Sequence, residues 1–563
     1  MRGKNLVKIF TLSFLTCILL YLSFPPLDLG FLAWAAFIPW FILIATEEKY
    51  PYLTALFIGA VFFFIHLSWL RYVTVAAWIL LSLYCTAYFL LFTLSTRFII
   101  FKLKLPLVIV APFLWTTLEF IRSFFLSGFP WFFIGHTQYR YLPVIQISDI
   151  TGVYGISFVI ITVNACIADL VIYYASYRKI IPSESPLNPS LEKGESHLPG
   201  KWLFIRRYSH CLFPTRKRLF LGFACIFPAV LIAAMLSYGL WWLTRYTPQE
   251  GPTICMVQGN ILQDLKFQPT DEDQVRILKT YSDLSMSVKG KPIDLLIWPE
   301  TMVPGILNID PALTGRMIDT LSQHTVLQLA HDLNTNLLLG GIALAFRGEE
   351  QMYFNSAFYY NRKGELVDRY DKVHLVPFGE YTPLKDYFPF LASLVPYEIG
   401  LTHGQNHILF PLDTVKNGNF TFGSSICYED TVAPLVRKFK KNGADFIVNI
   451  TNDGWFRDST ELDQHLATMV FRAVENRVCM ARAANTGISS FISPDGAIYA
   501  KLTDSQGKYR EIRGTLLNRV RYIEKYNTVY TLYGDYFAFG CMTVFGIMIC
   551  IAGIKKEFPL DNL

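Results

Sequence analysis

The chain has 563 residues, 52% of them hydrophobic and 16% aromatic against 17% charged, and a positive mean hydropathy of 0.33. These values exclude a purely water-soluble globule. The formal net charge of +6 follows basic residues grouped beside apolar runs, so it reports membrane orientation and gives no reason to expect nucleic-acid binding.

Apolar stretches long enough for a bilayer run at roughly 6–24, 29–46, 53–70, 75–100, 105–126, 145–175, 219–243 and 534–554. Arg2, Lys4 and Lys8 precede the first as in a signal peptide, but no small-residue cleavage site follows, which makes it an uncleaved anchor. Lys102 and Lys104, the stretch containing Arg206, Arg207, Arg216 and Lys217, and the tail with Lys555 and Lys556 all fall on one side if the N-terminus is inside. The expected organisation is a transmembrane domain over 1–243 with seven helices, an outer domain over 244–533, and a returning helix with a cytoplasmic tail over 534–563. Between the sixth and seventh spans, "PSESPLNPSLEKGESHLPG" lacks apolar periodicity, so residues 176–218 are expected to form a mobile cytoplasmic loop.

The outer domain alternates strand-like and helical runs. "TICMVQGNI", "IDLLIWPE", "TNLLLGGIAL", "NSAFYYN", "FTFGSSICYE", "DFIVNITND" and "ISSFISPDG" read as strands, several of them continuously apolar as in a buried sheet. Residues 270–288, 312–334, 431–442 and 464–484 read as helices. The expected class is an α/β sandwich. Of ten cysteines, Cys255, Cys427 and Cys479 fall outside the spans and the inner loop; their spacing fits neither a disulfide framework nor a metal site.

Three segments carry chemistry. In "LLIWPETMVP", Glu300 closes a hydrophobic strand, where α/β proteins place sites and where burial raises a carboxyl toward base strength; alone it fits an ion-paired strand end equally well. In "RYDKVHLVPFGEYTP", Lys372 sits among apolar and aromatic residues and could hold an oxyanion, with Glu380 orienting it; alone it fits a lysine snorkelling at a sheet edge. His374 in the same segment reads as a structural histidine. Cys427 ends "FTFGSSI" at a strand-to-helix junction, where amides and the helix terminus favour a thiolate; alone it fits a buried inert cysteine.

Taken in order, "WPET", "YDKVHLVPFGEY" and "ICYED" resemble the Glu-Lys-Cys constellation of the nitrilase superfamily of carbon-nitrogen hydrolases, and "TNDGWF", "QHLATMVFRAVENRV" and "ANTGISSFISPDG" match further elements. "LGFLAWAAFIPW", "SGFPW", "GVYGISFVIITVN" and "MVQGNI" extend the resemblance to the bacterial apolipoprotein N-acyltransferases over nearly the whole chain. The resemblance implies eight membrane helices plus an αββα nitrilase-type sandwich on the periplasmic side of the inner membrane. It implies Glu300 as general base, Lys372 as oxyanion donor and Cys427 as nucleophile of a ping-pong acyl transfer. The donor would be a membrane phospholipid and the acceptor the N-terminal amine of a diacylated apolipoprotein, in the last step of lipoprotein maturation, with no cofactor or metal and a monomeric protein. Glu380, Tyr428 and Glu429 are expected around the triad, and Trp298, Trp455 and Phe267 as walls of the substrate pocket; Phe267 stands where the family usually carries tryptophan, and Arg457 replaces a common glycine. Segments 128–140, 381–400 and 455–460 are expected to form a lipid entrance, with 381–400 as a membrane-dipping lid. Two other readings fit parts of the pattern: a tethered amidase in which water resolves the thioester, and a silent membrane scaffold, against which the intact triad argues.

Overall fold

The computed structural model of the chain describes residues 2–47, 49–180, 217–267, 269–377, 379–382, 387, 400–415, 418–524 and 526–555. The expected loop over 176–218 and the expected lid over 381–400 lie largely outside these residues.

The N-terminal half is helical: α1 (Arg2–Ser23), α2 (Ile38–Thr46), α3 (Pro51–His66), α4 (Val75–Leu103), α5 (Leu107–Arg122), α6 (Val153–Ile180) and α7 (Lys217–Arg245). Among the described residues, Leu6–Ser23, Val75–Leu103, Val153–Ala175, Cys225–Arg245 and, near the C-terminus, Tyr536–Ile554 are the five helices long and apolar enough to cross a bilayer. The other apolar stretches make shorter helices. Gly30–Thr46 begins as a 3-10 turn and is broken before α2, while α3 and α5 have 16 residues each, about 24 Å against a hydrocarbon core of about 30 Å.

The second half is an α/β sandwich of two six-stranded sheets. The first contains β1 (Gln249–Gln258), β2 (Leu295–Val303), β3 (Asn336–Arg347), β4 (Glu350–Tyr360), β5 (Leu366–Asp371) and the last strand, β12 (Gly514–Tyr522), in the order β12-β1-β2-β3-β4-β5. The second contains β6 (Leu409–Asp413), β7 (Asn419–Ile426), β8 (Phe446–Thr451), β9 (Cys479–Ala484), β10 (Ser490–Ile492) and β11 (Ile498–Lys501), in the order β11-β10-β9-β8-β7-β6. The central pairs β1–β2–β3 and β7–β8–β9 are parallel, which explains their continuous apolar runs, since both faces are covered. Alternate residues of β2 serve two cores. Leu295 and Ile297 face the second sheet, whereas Leu296 and Trp298 join a separate core beneath α8 (Asp271–Met286) and α9 (Met317–Leu333). On the other side, α10 (Ala433–Lys441) and α11 (Glu461–Asn476) cover the second sheet, giving a helix-sheet-sheet-helix stack before the final helix α12 (Tyr536–Ile554).

The helix expected over 464–484 ends at Asn476. Arg477 turns out with φ 47°, and Cys479–Ala484 becomes β9, paired with β8 and β10. Alanine, methionine and arginine favour a helix locally, but two ladders satisfy the backbone of this buried segment on both sides, and tertiary pairing overrides propensity. Strands β5, β6, β11 and β12, absent from the expected set, form the outer parts of the sheets, where polar residues break the apolar pattern.

Arg477 also joins the halves. Its fully buried guanidinium donates to Asp149 Oδ2 from Nε and Nη2 at 3.1 and 2.8 Å, and lies 3.7 Å from the centre of the Trp242 ring. Tyr238 of α7 donates to the same carboxylate. Replacing Arg477 with methionine leaves Asp149 buried without its cation, a loss of about 3–5 kcal/mol. Thermal unfolding of the purified protein in detergent should show a clearly lowered Tm for R477M, partly recovered in the R477M/D149N double variant; an unchanged Tm would contradict this account of the docking.

Candidate active site

Glu300 lies on β2 where the strand breaks register with β3 between Trp298 and Val303. The next residue, Thr301, has φ 55°, a conformation that β-branched residues avoid. The bulge depends on Gly340 across the sheet: a Cβ there would meet Pro299 O at 2.2 Å and Glu300 Cα at 2.7 Å. Glu300 is thereby carried inward and is 6% exposed. Its Oε2 accepts the Asn452 backbone N–H at 2.9 Å and its Oε1 the Asn355 side-chain amide at 2.7 Å.

Lys372 follows β5 and is 1% exposed. Its Nζ donates to Glu380 Oε1 at 2.9 Å and reaches Glu300 Oε1 at 3.5 Å. Burial by itself disfavours the ammonium, but the charges of Glu380 and Glu300 outweigh that and raise its pKa, so it stays protonated. Glu380 is fixed in turn by the Val376 N–H at 2.8 Å and Asn355 at 3.1 Å.

Cys427 ends β7 with φ 53° and opens a 3-10 turn, Cys427–Thr431, whose first amides have no acceptor within the turn. The thiol is half-buried. Burial pushes its pKa well above the ordinary range and Glu300 adds to this, while Lys372 opposes it. Cys427 therefore rests as a neutral thiol, which can act as a nucleophile only with a base to take its proton.

The fully buried Glu429 explains why the lysine and cysteine segments meet. Its carboxylate accepts N–H bonds from Val373, His374 and Ile426 at 2.8, 2.9 and 2.8 Å and the Tyr370 hydroxyl at 2.9 Å. Burial raises its pKa to about 7, against these donors. It lies inside the fold beside the triad and holds the lysine and cysteine segments together. A second clamp lies behind the cysteine turn, where Arg482 donates to Asp430 Oδ2 at 2.9 Å and to Asp453 Oδ2 at 2.8 Å, and His465 Nε2 meets Asp430 Oδ1 at 2.7 Å. Asp453, Glu461 and His465 offer ligand atoms within 4.8 Å of one another, but Arg482 already occupies Asp453 and donates to His465 Nδ1 at 2.8 Å, which disfavours a metal ion there.

Other expected residues scatter. Trp298 is a correction: it faces away from Glu300 into the helix-covered core, donates to Ser285 Oγ at 2.9 Å and packs on Tyr281, because it sits two residues before the bulge that turns Glu300 inward. Phe267 ends a short turn, Asp264–Phe267, and its side chain lies outside the described residues. Trp455 is half-buried in the turn Asp453–Phe456, where Phe456 meets Trp69 of the helical half edge-on. Tyr428 stacks on Trp131, parallel within 2° at 6.1 Å, and donates to Gly128 O. Most of segment 128–140 is buried at this junction, so an exposed entrance there is also corrected. His374 stacks on Tyr428 with its pKa lowered to about 4 by burial. Asn355, Asn452, Gly340 and Arg482 were not foreseen; their one signal was a polar residue or glycine inside an apolar strand.

Residues 16–166 match the family described as the apolipoprotein N-acyltransferase N-terminal domain, and residues 253–522 match carbon-nitrogen hydrolase. The apolipoprotein N-acyltransferase of Geobacter metallireducens is 31% identical over 97% of this chain and 96% of its own. The chain belongs to the apolipoprotein N-acyltransferase family. The namesake from Chlorobaculum tepidum is 26% identical over 99% of this chain and 98% of its own. Solved structures that resemble the α/β half of this family member include an amidase from Nesterenkonia sp., 17% identical over 48% of this chain and 91% of that one at a TM-score of 0.34. Nit3 of Saccharomyces cerevisiae, a nitrilase-superfamily member, is 19% identical over 49% and 91% at 0.35.

Two predictions follow from the site's geometry. Gly340→Ala should push Glu300 out of line and slow thiol acylation by about a hundredfold with the protein still folded; an unchanged rate in stopped-time acylation assays would show that the bulge does not set the base. Glu429 has a folded pKa near 7 against an ordinary 4.5, so the stability held in its neutral form is complete below 4.5 and is lost as pH climbs through 7. The wild-type Tm should therefore fall more steeply between pH 5 and 8 than that of Glu429→Gln, which is lower overall; equal slopes would count against a raised Glu429.

Proposed function

We propose that this protein transfers a fatty acyl chain from a membrane phospholipid to the N-terminal amine of the diacylglyceryl-cysteine of apolipoproteins, through a thioester on Cys427. One contact carries this reading: the nucleophile's neighbour Tyr428 stacks on Trp131 of the helical half. A soluble amidase needs no membrane half against its cysteine. Acyl chains that stay in lipid until they reach Cys427 avoid exposing methylenes to water at about 0.8 kcal/mol each.

In the first half-reaction Glu300 takes the thiol proton, the sulfur attacks the ester carbonyl, and the lysophospholipid alkoxide leaves with the proton returned by Glu300. Lys372 and the Tyr428 N–H stabilise the oxyanion, at about 3–4 kcal/mol per donor. In the second, the acceptor amine attacks the thioester, Glu300 receives its proton, and the thiol is regenerated. Asn452 and Asn355 hold Glu300 in one orientation through both steps, and Glu380 keeps Lys372 charged. Half-buried Trp455 and the turn ending in Phe267 border the acyl path.

The same reading takes eight membrane spans over 1–243 and 534–563, the bilayer thinning around the shorter helices, and residues 244–533 facing the periplasm across the inner membrane. It takes a monomer with no cofactor, since aminolysis of a thioester is downhill.

The test is intact mass spectrometry after incubation with a defined phospholipid. A single acyl adduct on Cys427, discharged by a diacylated lipopeptide amine and absent from Cys427→Ala, is expected; loss to water at one rate with or without lipopeptide would make the protein a hydrolase.

A further inference from the structure

A second lysine stands beside Glu300 and the mechanism leaves it idle. Lys266 lies in the turn Asp264–Phe267, and its Nζ donates to Thr301 Oγ1 at 2.6 Å. Thr301 directly follows Glu300 and holds the strained φ of 55°, a conformation that costs of order 1–3 kcal/mol and persists where surrounding structure fixes it. The same turn also reaches the other side of the base, because the Asn452 amide donates to Gln263 Oε1 at 2.8 Å while the Asn452 N–H holds Glu300 Oε2. Gln263 and Lys266 thus form a wall beside Glu300.

The charge on that wall is open. Lys372 is engaged by two carboxylates, whereas among the described residues Lys266 has no carboxylate within ion-pair distance, and two of its three N–H groups have no acceptor. Glu300 is the anion whose charge it feels, and burial lowers its pKa to about 8, so at neutral pH it remains mostly a cation. A desolvated ammonium with a single hydrogen bond, on a half-buried side chain, is stabilised by an incoming anion.

We propose that Lys266 holds the phosphodiester of the acyl donor while its ester carbonyl lies against Cys427. This rests on the phospholipid reading above. The phosphodiester is the anion that every glycerophospholipid shares whatever its headgroup, and it is tied to the scissile ester through the short glycerol unit. An ester bound at the Glu300–Lys372–Cys427 centre therefore brings a phosphate within a few ångströms of that centre, and Lys266 offers the unengaged cation there. Thr301 acts as its positioning residue.

The experiment compares two donors with identical acyl chains and the same leaving oxygen, phosphatidylglycerol and the neutral diacylglycerol, presented in detergent micelles to the full chain. The readout is the ratio of their kcat/KM values for acylation of Cys427. Lys266→Met should lower that ratio about tenfold, mainly through KM for phosphatidylglycerol, and Lys266→Arg should restore it. Reaction with diacylglycerol shows that the variant is folded. Equal losses with both donors, or a fall confined to kcat with a displaced acid limb of the pH profile, would assign Lys266 to tuning Glu300 and overturn the proposal, as would an unchanged ratio. Millimolar inorganic phosphate is expected to leave the donor KM unchanged; competition in wild type but not in K266M would make this a free-phosphate site and overturn the lipid assignment. Failure of the phospholipid reading itself would look different, because wild type would then form no adduct from phosphatidylglycerol.

Discussion

The carboxylate of Glu429 ties together two stretches of chain that are distant in sequence, residues 370–374 and the end of β7 at Ile426. Val373 and His374 come from the lysine segment, Tyr370 from β5 in the first sheet, and Ile426 from β7 in the second, and all four donate to it. A buried acceptor with four donors lets none of them move independently, because an unsatisfied N–H or carboxylate at this depth costs about 1–3 kcal/mol. Lys372 and Cys427, on either side of the gap between the sheets, are thereby held in register, and Glu300 completes the set from β2.

Within that frame the site handles its charge by pairing. Two carboxylates, Glu300 and Glu380, share the Lys372 ammonium, so the lysine is held charged and in one orientation. The thiol gains nothing comparable. Burial and Glu300 keep it protonated, and a neutral thiol resists oxidation better than a thiolate. Arg482 performs the matching service behind the cysteine turn, joining Asp430 to Asp453 and so fixing the loop whose Asn452 N–H steadies Glu300.

The helical half is a working part of this arrangement as well as an anchor. Tyr428 lies on Trp131, Phe456 on Trp69, and Gln464 accepts the indole N–H groups of both tryptophans at 3.0 and 3.3 Å. Together with the Arg477–Asp149 pair, these contacts set the height of the nucleophile above the helices, and hence the path of an acyl chain.

How much of this could be read from the residues depended on range. Glu300, Lys372 and Cys427 were legible because each stands in a distinctive local string, and the membrane helices because length and hydropathy are local quantities. Trp298 was misplaced because the register break that follows it, between Trp298 and Val303, sends it and Glu300 to different faces, and β9 because an alanine-rich run has helical propensity until two neighbouring strands claim its backbone. Glu429 was expected around the triad, and only its distant donors make it a clamp. The sequence by itself determined the family and the presence of apolar helices, since both rest on residue type and short-range pattern. Tertiary structure alone decided which charged groups face substrate, which hold the site together, and that Lys266 is left with spare donors, since burial and long-range partners are properties of the packed chain.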